Sequence, residues 1–384
     1  MEKFQRCTRC IMDNRSDGTI CFDADGVCNY CTEALKGINT TTYFPNEAGE
    51  KKLKALLKTV KEEGRGKPYD AIMGISGGLD SSYLAYLGYK WGLRILLVHI
   101  DDGFDTEISK QNLEKLAKAT GFDYEVIQPD AEQYCALTKA YMKAGVPNIA
   151  IPQDNILFAF IYDLMRKRKI KYFLSGGNFA LECVLQKGNS YKATDVVNIK
   201  DINRRFGEKS VDKLKFISTV QKLMDKKILG IESPRPLNYI DYNRDRAFQE
   251  LYDFCGFEYY GRKHLENALT AFIQLYWFPE KFGVDKRTSH LSSMIVSGQM
   301  TREEALEEYA QPLYNEEQMA EYICLIKEKL KITDTEFDQI MAAPVHQHTD
   351  YASEDDRFVN KATKMAVRIL VQVKRKLIAL RNRK

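Results

Sequence analysis

The chain has 384 residues, 44% hydrophobic and 29% charged, with a formal net charge of +4 at neutral pH. Its size suits two or three domains and its composition an ordinary globular protein, while so small a positive charge argues against a DNA or tRNA partner. No run reaches the roughly 18 uninterrupted apolar residues of a membrane span, and the stretch from Met1 to Cys10 has early charges but no apolar run for a secretory signal, so a cytoplasmic protein is expected.

Nine cysteines are unevenly spread. Cys7, Cys10, Cys21, Cys28 and Cys31 crowd the first tenth of the chain, while Cys135, Cys183, Cys255 and Cys324 are scattered. Clustering of this kind in a cytosolic chain points to metal ligands rather than disulfides. The pairs Cys7-X-X-Cys10 and Cys28-X-X-Cys31 are separated by 17 residues, inside the roughly 15–20 spacing of zinc sites. Two such turns supply a tetrahedral four-sulfur shell suited to structural Zn2+, with Cys21 spare. Reduced thiols without metal and an iron–sulfur cluster are the other readings. Residues 1–40 are expected to form a zinc-ribbon module.

From residue 47 to 242 strand and helix signals alternate. Residues 69–75 read as a buried strand, the stretch from Ser82 as a helix, 94–100 as a second strand, 111–119 as a helix and 124–127 as a third strand. Residues 156–168 form a long apolar helix, and 171–174 a fourth strand ending at Ser175-Gly176-Gly177. This alternation predicts an α/β fold, a doubly wound parallel sheet covered on both faces, with ligands at the carboxyl ends of its strands. Residues 243–384 carry helical periodicity with few strand signals, as at 302–309 and 316–330, and are expected to be a helical region covering the substrate. The last stretch, 361–384, lacks acidic residues and reads as a basic amphipathic helix, with one face on the core or on a partner surface.

The strongest signal is Ser76-Gly77-Gly78-Leu79-Asp80-Ser81-Ser82, between the first strand and its helix. Glycines let the backbone approach an anion, the helix start points amides at it, and the serines add hydroxyl donors. The lysine of the Gly-Lys-Ser/Thr nucleotide loop is absent, which favours gripping a departing pyrophosphate over transferring the terminal phosphate. A turn that only joins strand to helix is the plain alternative.

The loop resembles that of the N-type ATP pyrophosphatase superfamily, Ser-Gly-Gly-X-Asp-Ser. The resemblance implies an adenine-nucleotide alpha hydrolase-like fold, ATP with Mg2+, and catalytic roles for Ser76, Asp80 and Ser81. It implies nucleotide contacts at Gly74, Ile75, Gly77, Gly78, Ser82, His99, Ile100 and Asp101, although His99 also reads as a core histidine at a strand end. Ser175, Gly176 and Gly177, with Asn178 and Glu182, match a later loop of that superfamily, and Arg235-Pro236-Leu237 an element that closes the site.

Two longer stretches narrow the likeness. Cys7-Thr8-Arg9-Cys10-Ile11-Met12-Asp13 and Phe22-Asp23-Ala24-Asp25-Gly26-Val27-Cys28-Asn29-Tyr30-Cys31 are similar to the opening of the N-acetyl sugar amidotransferases. The runs Lys263-His264-Leu265-Glu266-Asn267, Pro279 to Arg287 and His290-Leu291-Ser292 are similar to their later part. The resemblance implies conversion of an acetamido group on a sugar nucleotide to an acetamidino group, through an O-adenylyl imidate and ammonia, in O-antigen or other surface-glycan biosynthesis. It implies substrate contacts at Lys263, His264, Lys286 and Arg287, alongside Asn178 and Glu182. Glu266, Asp285 and His290 share that charged stretch, which otherwise reads as a solvated face with structural ion pairs. The chain has no glutaminase nucleophile: Glu2 follows Met1, and no Gly-X-Cys-X-Gly elbow occurs. A separate glutaminase with a cyclase-like ammonia conduit is therefore expected. The rival readings are a tRNA-modifying sulfur transferase, for which Cys135 and Cys183 are poorly paired, and a non-catalytic zinc-ribbon module that senses nucleotide.

Overall fold

The computed structural model describes residues 3–261 and 265–355. Near the N-terminus two short antiparallel bridges, Arg6 to Asp13 and Phe22 to Cys28, shape the turns that present the clustered cysteines. The second leads straight into α1 (Asn29–Gly37), where the Cys28 sulfur caps the helix by accepting from the Cys31 amide. α2 (Glu47–Gly64) follows, with the Asn46 side chain on its first amides.

Strands and helices then alternate as β1 (Ala71–Gly74), α3 (Leu79–Lys90), β2 (Ile95–Ile100), α4 (Glu107–Thr120), β3 (Asp123–Ile127), α5 (Ala131–Lys143) and α6 (Ile151–Arg168). The three strands are parallel, in the order β1-β2-β3. The other edge of β1 pairs with residues 171–174: Ile72 N donates to Tyr172 O at 2.9 Å and Leu174 N to Ile72 O at 3.0 Å. Beyond these, Phe173 N donates to Glu232 O at 2.9 Å and Glu232 N to Lys171 O at 2.8 Å. Both bridges are parallel. The fourth strand expected from sequence is therefore present as a short paired segment, and the segment at Glu232, which has no apolar run to announce it, extends the sheet further. β1 lies in the middle, and the chain builds first to one side of it and then to the other. That reversal opens a crevice at its carboxyl end.

β1 and β2 bury both faces because alternate residues point to opposite sides. Ala71, Met73, Ile95 and Leu97 pack with Leu84 and Leu87 of α3 and Leu113 and Leu116 of α4. Ile72, Leu96 and Val98 pack with Ala159, Ile161, Tyr162 and Met165 of α6. The doubly wound α/β arrangement follows directly from that period.

The chain continues through α7 (Phe179–Glu182), α8 (Val196–Phe206), α9 (Thr219–Met224), α10 (Arg244–Cys255) and α11 (Ala268–Phe272). α11 widens into π-helical turns over Ile273–Lys281, with Pro279 inside them. α12 (Arg287–Val296), α13 (Arg302–Ala310), α14 (Glu316–Leu330) and α15 (Asp334–Ala342) complete a helical region. A second core joins Tyr134, Leu137 and Tyr141 of α5 and Ile199 and Ile202 of α8 to Leu269, Phe272, Trp277, Ile326 and Phe337. Packing thus runs across residue 242, and Trp277 Nε1 donates to the carbonyls of Val146 and Pro147 at 3.1 and 3.2 Å. Among the described residues no helix is long and apolar enough to cross a membrane. The basic stretch 361–384 and the expected contacts Lys263 and His264 lie outside the described residues.

Asn155, fully buried in α6, ties down the excursion between α7 and α9. Its Nδ2 donates to Ala193 O at 2.7 Å and Ile217 O at 2.9 Å, and its Oδ1 accepts from Ile217 N at 3.1 Å. Asn155→Ala leaves these backbone groups without that partner and should cost about 2–4 kcal/mol of stability. Urea denaturation measures it; a loss below ~0.5 kcal/mol would show that the excursion is held elsewhere.

Candidate active site

The loop after β1 lies at this crevice. Gly77 adopts φ +76°, and a Cβ there would sit 2.5 Å from the Ser109 carbonyl of α4, so only glycine fits. Gly78 caps α3 without a side-chain hydrogen bond of its own. Its amide donates to Ser76 Oγ at 3.3 Å, and the Leu79 amide donates to the Tyr260 hydroxyl at 2.9 Å. Ser76 Oγ in turn donates to Glu266 Oε1 at 3.4 Å. A helix start with a favourable dipole is an anion site, and here the partly buried Tyr260 phenol stands on the Leu79 amide and the Glu266 carboxylate on the Ser76 hydroxyl. Ser81 Oγ donates to Gly78 O at 3.3 Å. Asp80 accepts from Tyr242 Oη at 2.5 Å; burial first, and then the Asp80 charge, push that phenol well above its ordinary range. The expected second loop arrives from the other side of the crevice. A Cβ at Gly176 would lie 3.0 Å from Ser81 N, so the two glycine turns touch at the start of α3.

His99, at the end of β2, braces the loop. Its Nδ1 lies 2.9 Å from Ile75 O and its Nε2 2.8 Å from Asp105 Oδ2. Burial works against a charge on this ring, but the Asp105 carboxylate and the Ile75 carbonyl outweigh it, and its pKa is held above the ordinary histidine value. Asn267 Nδ2 donates to Asp102 Oδ1 at 3.0 Å and to Asp105 Oδ1 at 3.3 Å. Asp102 also accepts from Tyr134 Oη at 3.1 Å and Gln153 Nε2 at 2.6 Å. Burial, with the charge of Asp105 beside it, pushes the Asp102 carboxyl up.

Two cavities flank the loop. The first, about 440 Å³, lies over the carboxyl ends of β1 and β2 and is lined by Gly74, Ile75, Ser76, His99, Asp102 and Asp105, among others. The second, about 360 Å³, opens beside the start of α3 and includes Asp80, Arg244, Tyr260, Arg287 and His290. Gln274 of the π-helical turns and Lys286 line both. Volumes of this size suit small-molecule ligands.

The expected residues distribute unevenly over this geometry. Gly74, Ile75, Ser76 and His99 line the first cavity, Asp80 and Arg287 the second, and Lys286 both. Arg287 grips Asp285 through Nε and Nη2 at 3.0 and 2.8 Å, and its guanidinium lies over the Tyr309 ring. Ser82 is fully enclosed, and among the described residues its hydroxyl has no partner. Asp101 lines neither cavity. It accepts from Gln128 Nε2 at 2.8 Å and Gly103 N at 2.9 Å, and although burial opposes it, these bonds hold the carboxyl below its ordinary range. Its neighbour Asp102 takes the place in the wall. Asn178 and Glu182 sit apart, in an open groove with Arg235 and Asn238 beside α1, and the Asn178 side chain is used to cap α7 through the Leu181 amide. Tyr134, Gln153, Tyr260 and Gln274 carried no signal in sequence, and Asn267 only as part of the run that begins at Lys263. They become site residues only because α5, α6 and the helical region converge here.

The cysteine cluster lies elsewhere. The ligand atoms of Cys7, Cys10, Cys28 and Cys31 all lie within 4.8 Å of one another, and all four residues are buried. Cys10 Sγ and Cys28 Sγ are 3.7 Å apart, close to the edge of about 3.8 Å that a tetrahedron of zinc–sulfur bonds requires. Amides aim at the sulfurs: Cys10 N and Cys28 N at Cys7 Sγ, Met12 N at Cys10 Sγ and Cys31 N at Cys28 Sγ, all between 3.2 and 3.4 Å. The set suits one tetrahedral ion. Its turns are clamped to the helical region, since Arg302 donates to the carbonyls of Cys10 and Cys7 at 3.2 Å and Ile11 N donates to Ser292 Oγ at 3.2 Å.

Residues 266–366 match the family described as LPS biosynthesis protein WbpG-like, C-terminal domain. The match begins at Glu266, beside the loop. No curated protein matches the chain. Solved structures with some likeness include an NH3-dependent NAD synthetase from Campylobacter jejuni subsp. jejuni (14% identity, TM-score 0.29, covering 56% of this chain and 99% of that one). Others are an NMN synthetase from Francisella tularensis (14%, 0.31, 75% and 98%) and the U34-tRNA thiolase NcsA from Methanococcus maripaludis with its 4Fe-4S cluster (12%, 0.33, 85% and 89%). Scores this low do not equate the folds.

Elemental analysis of the purified protein should find one tightly held metal ion per chain. Cys28→Ser should lose it and lower the melting temperature by at least ~5 °C, because a structural ion contributes directly to folding. Full metal retention in Cys28→Ser would remove this residue from the shell.

Proposed function

We propose that the protein is an ATP-dependent, AMP-forming N-acetyl sugar amidotransferase of lipopolysaccharide or related surface-glycan biosynthesis, acting in the cytoplasm. The observation that carries this reading is the lysine-free Ser-Gly-Gly loop at the sheet's reversal point, flanked by two adjoining cavities. One suits the nucleotide and the other an acceptor. The WbpG-like match at 266–366 supports the glycan context.

An amide carbonyl is a poor electrophile, and its oxygen a poor leaving group. The acetamide oxygen attacks the α-phosphorus of ATP, the bond to the β-phosphate breaks, and pyrophosphate departs from an O-adenylyl imidate. Ammonia then adds to the imidate carbon and AMP leaves, which gives the acetamidino group. The amides of the loop and the hydroxyls of Ser76 and Ser81 stabilise charge on the departing pyrophosphate. Asp80 and Glu266, each beside the loop, are the carboxylates that would hold Mg2+, which would neutralise phosphate charge there. Walls formed by the helical region keep water from the imidate, which would otherwise revert to the amide. The four buried thiolates fit Zn2+ in a purely structural role, since a closed shell leaves no position for substrate. Ammonia comes from a separate glutaminase through a conduit partner. Sulfur transfer to RNA finds less support: neither Cys135 nor Cys183 lines the two cavities, and burial pushes the Cys183 thiol up to about 12.

The test is incubation with ATP, Mg2+, ammonium and a panel of acetamido sugar nucleotides. AMP and pyrophosphate should form together with a small mass decrease in one acceptor, whereas ADP as the main product would sink the mechanism. Ser76→Ala, Asp80→Ala and Ser81→Ala should each cut turnover about a hundredfold with the fold intact. The isolated chain should use ammonium and ignore glutamine; turnover with glutamine alone would reveal a glutaminase site within it.

A further inference from the structure

The reaction proposed above needs two reactants to meet at one phosphorus atom, yet the crevice is divided. The first cavity reaches the loop from the sheet side, at Ser76, and the second from the start of α3, at Leu79 and Asp80. The polar side chains lining both are Gln274 and Lys286. Each is placed by an irregularity of the backbone. Gln274 lies in the π-helical turns, and π-helical turns gather at functional sites. Lys286 occupies the residue before α12, with no side-chain hydrogen bond to that helix start.

The cations of the second cavity differ in how far their charge is already answered. Arg287 is held by both oxygens of Asp285, and Arg244 donates from Nε to Asp245 at 3.0 Å. Lys286 has no carboxylate within ion-pair distance among the described residues, and its ammonium lies 5.0 Å from the centre of the Phe278 ring. Burial lowers its pKa to about 8, with only a weak opposing pull from Asp17. The group is therefore charged at neutral pH and poorly compensated, a state that an incoming anion relieves. The first cavity is lined by the carboxylates Asp102, Asp105, Asp154 and Glu266, so Lys286 brings positive charge to the place where the polyphosphate must pass.

We propose that the nucleotide occupies the first cavity and the acetamido sugar the second, and that Lys286 is a catalytic residue that holds the α-phosphate where the two cavities meet. This rests on the adenylation reading. The loop answers the charge of the β- and γ-phosphates, while Lys286 answers the charge on the non-bridging oxygens of the α-phosphate. The acetamide oxygen enters from the second cavity, the bond to the β-phosphate breaks toward the loop, and Lys286 keeps its proton throughout. A lysine serves because the α-phosphate changes partners during transfer, and a flexible point charge with rotatable donors follows it where a planar fork does not.

The experiment uses the full chain, Lys286→Met and Lys286→Arg, the non-hydrolysable analogue α,β-methylene-ATP, and the acetamido sugar nucleotide that turns over best. Calorimetry should show analogue and sugar binding together to the wild type, and the analogue binding more weakly to Lys286→Met. AMP formation by Lys286→Met should fall about a hundredfold or more, with part restored in Lys286→Arg. If analogue and sugar exclude one another, the two-cavity assignment is overturned. If Lys286→Met forms AMP within threefold of wild type, the role of Lys286 is overturned and the adenylation reading stands. If wild type forms no AMP with any acceptor, the reading itself fails and this inference with it. Unaltered melting of Lys286→Arg with a rate as low as that of Lys286→Met would overturn the charge-answering role of Lys286.

Discussion

Two backbone hydrogen bonds hold the sheet and the helical region in one register: Thr106 N to Glu266 O at 3.1 Å and Ala268 N to Phe104 O at 2.7 Å. They join the turn after β2 to the residues that begin α11. From that stitch the rest of the site follows. Glu266 is brought to Ser76, and Asn267 is brought between Asp102 and Asp105. α11 starts with Asn267 as its cap and runs into the π-helical turns that carry Gln274. Buried backbone groups must be paired, so the turn and the helix start answer each other's unpaired groups, and each fixes the other's position. The His99–Asp105 pair carries the same constraint back to the loop through Ile75.

A consequence is that the anion cradle is occupied by the protein itself. Tyr260 and Glu266 flank the segment next to the loop and use donors that a pyrophosphate would use. On the proposed function, a nucleotide entering this arrangement would exchange those hydrogen bonds for its own. Binding is thereby a replacement of one set of polar partners by another, which limits the gain in affinity and leaves the stronger interactions for the transferring state.

The sheet was legible because its signal is local. β1 and β2 are short apolar runs bounded by turn residues, β3 is a short run rich in β-formers, and the periodicities of α13 and α14 survive nearly unchanged in the structure. The loop was legible for the same reason, since a strand, glycines and serines stand side by side in the chain. The cysteine pairs were read from their spacing, which the buried cluster matches. What escaped was set by distant contacts. The Glu232 segment pairs through its backbone and leaves no side-chain pattern. The π-helical turns of Ile273–Lys281 are indistinguishable from α-helix by hydrophobic spacing alone. At Asp101-Asp102-Gly103 the turn was found, and it is Asp102 that lines the cavity, because which of two adjacent residues faces it depends on Tyr134, Gln153 and Asn267, all remote in sequence. Asn178 and Glu182 show the converse: a motif neighbour need not share the motif's cavity.

The docking of the cysteine turns has a thermodynamic meaning. They are far in sequence from α12 and α13, yet Ser292 and Arg302 of those helices bind their amide and carbonyl groups directly. α12 is the helix that begins just after Lys286. Metal binding and any ligand that contacts the start of α12 therefore favour the same arrangement of one helix, and two such equilibria are linked. If metal and ligand each favour that arrangement over another, each would tighten the binding of the other by the same factor. A site with no open coordination position, outside both cavities, becomes in this way an energetic partner of the chemistry.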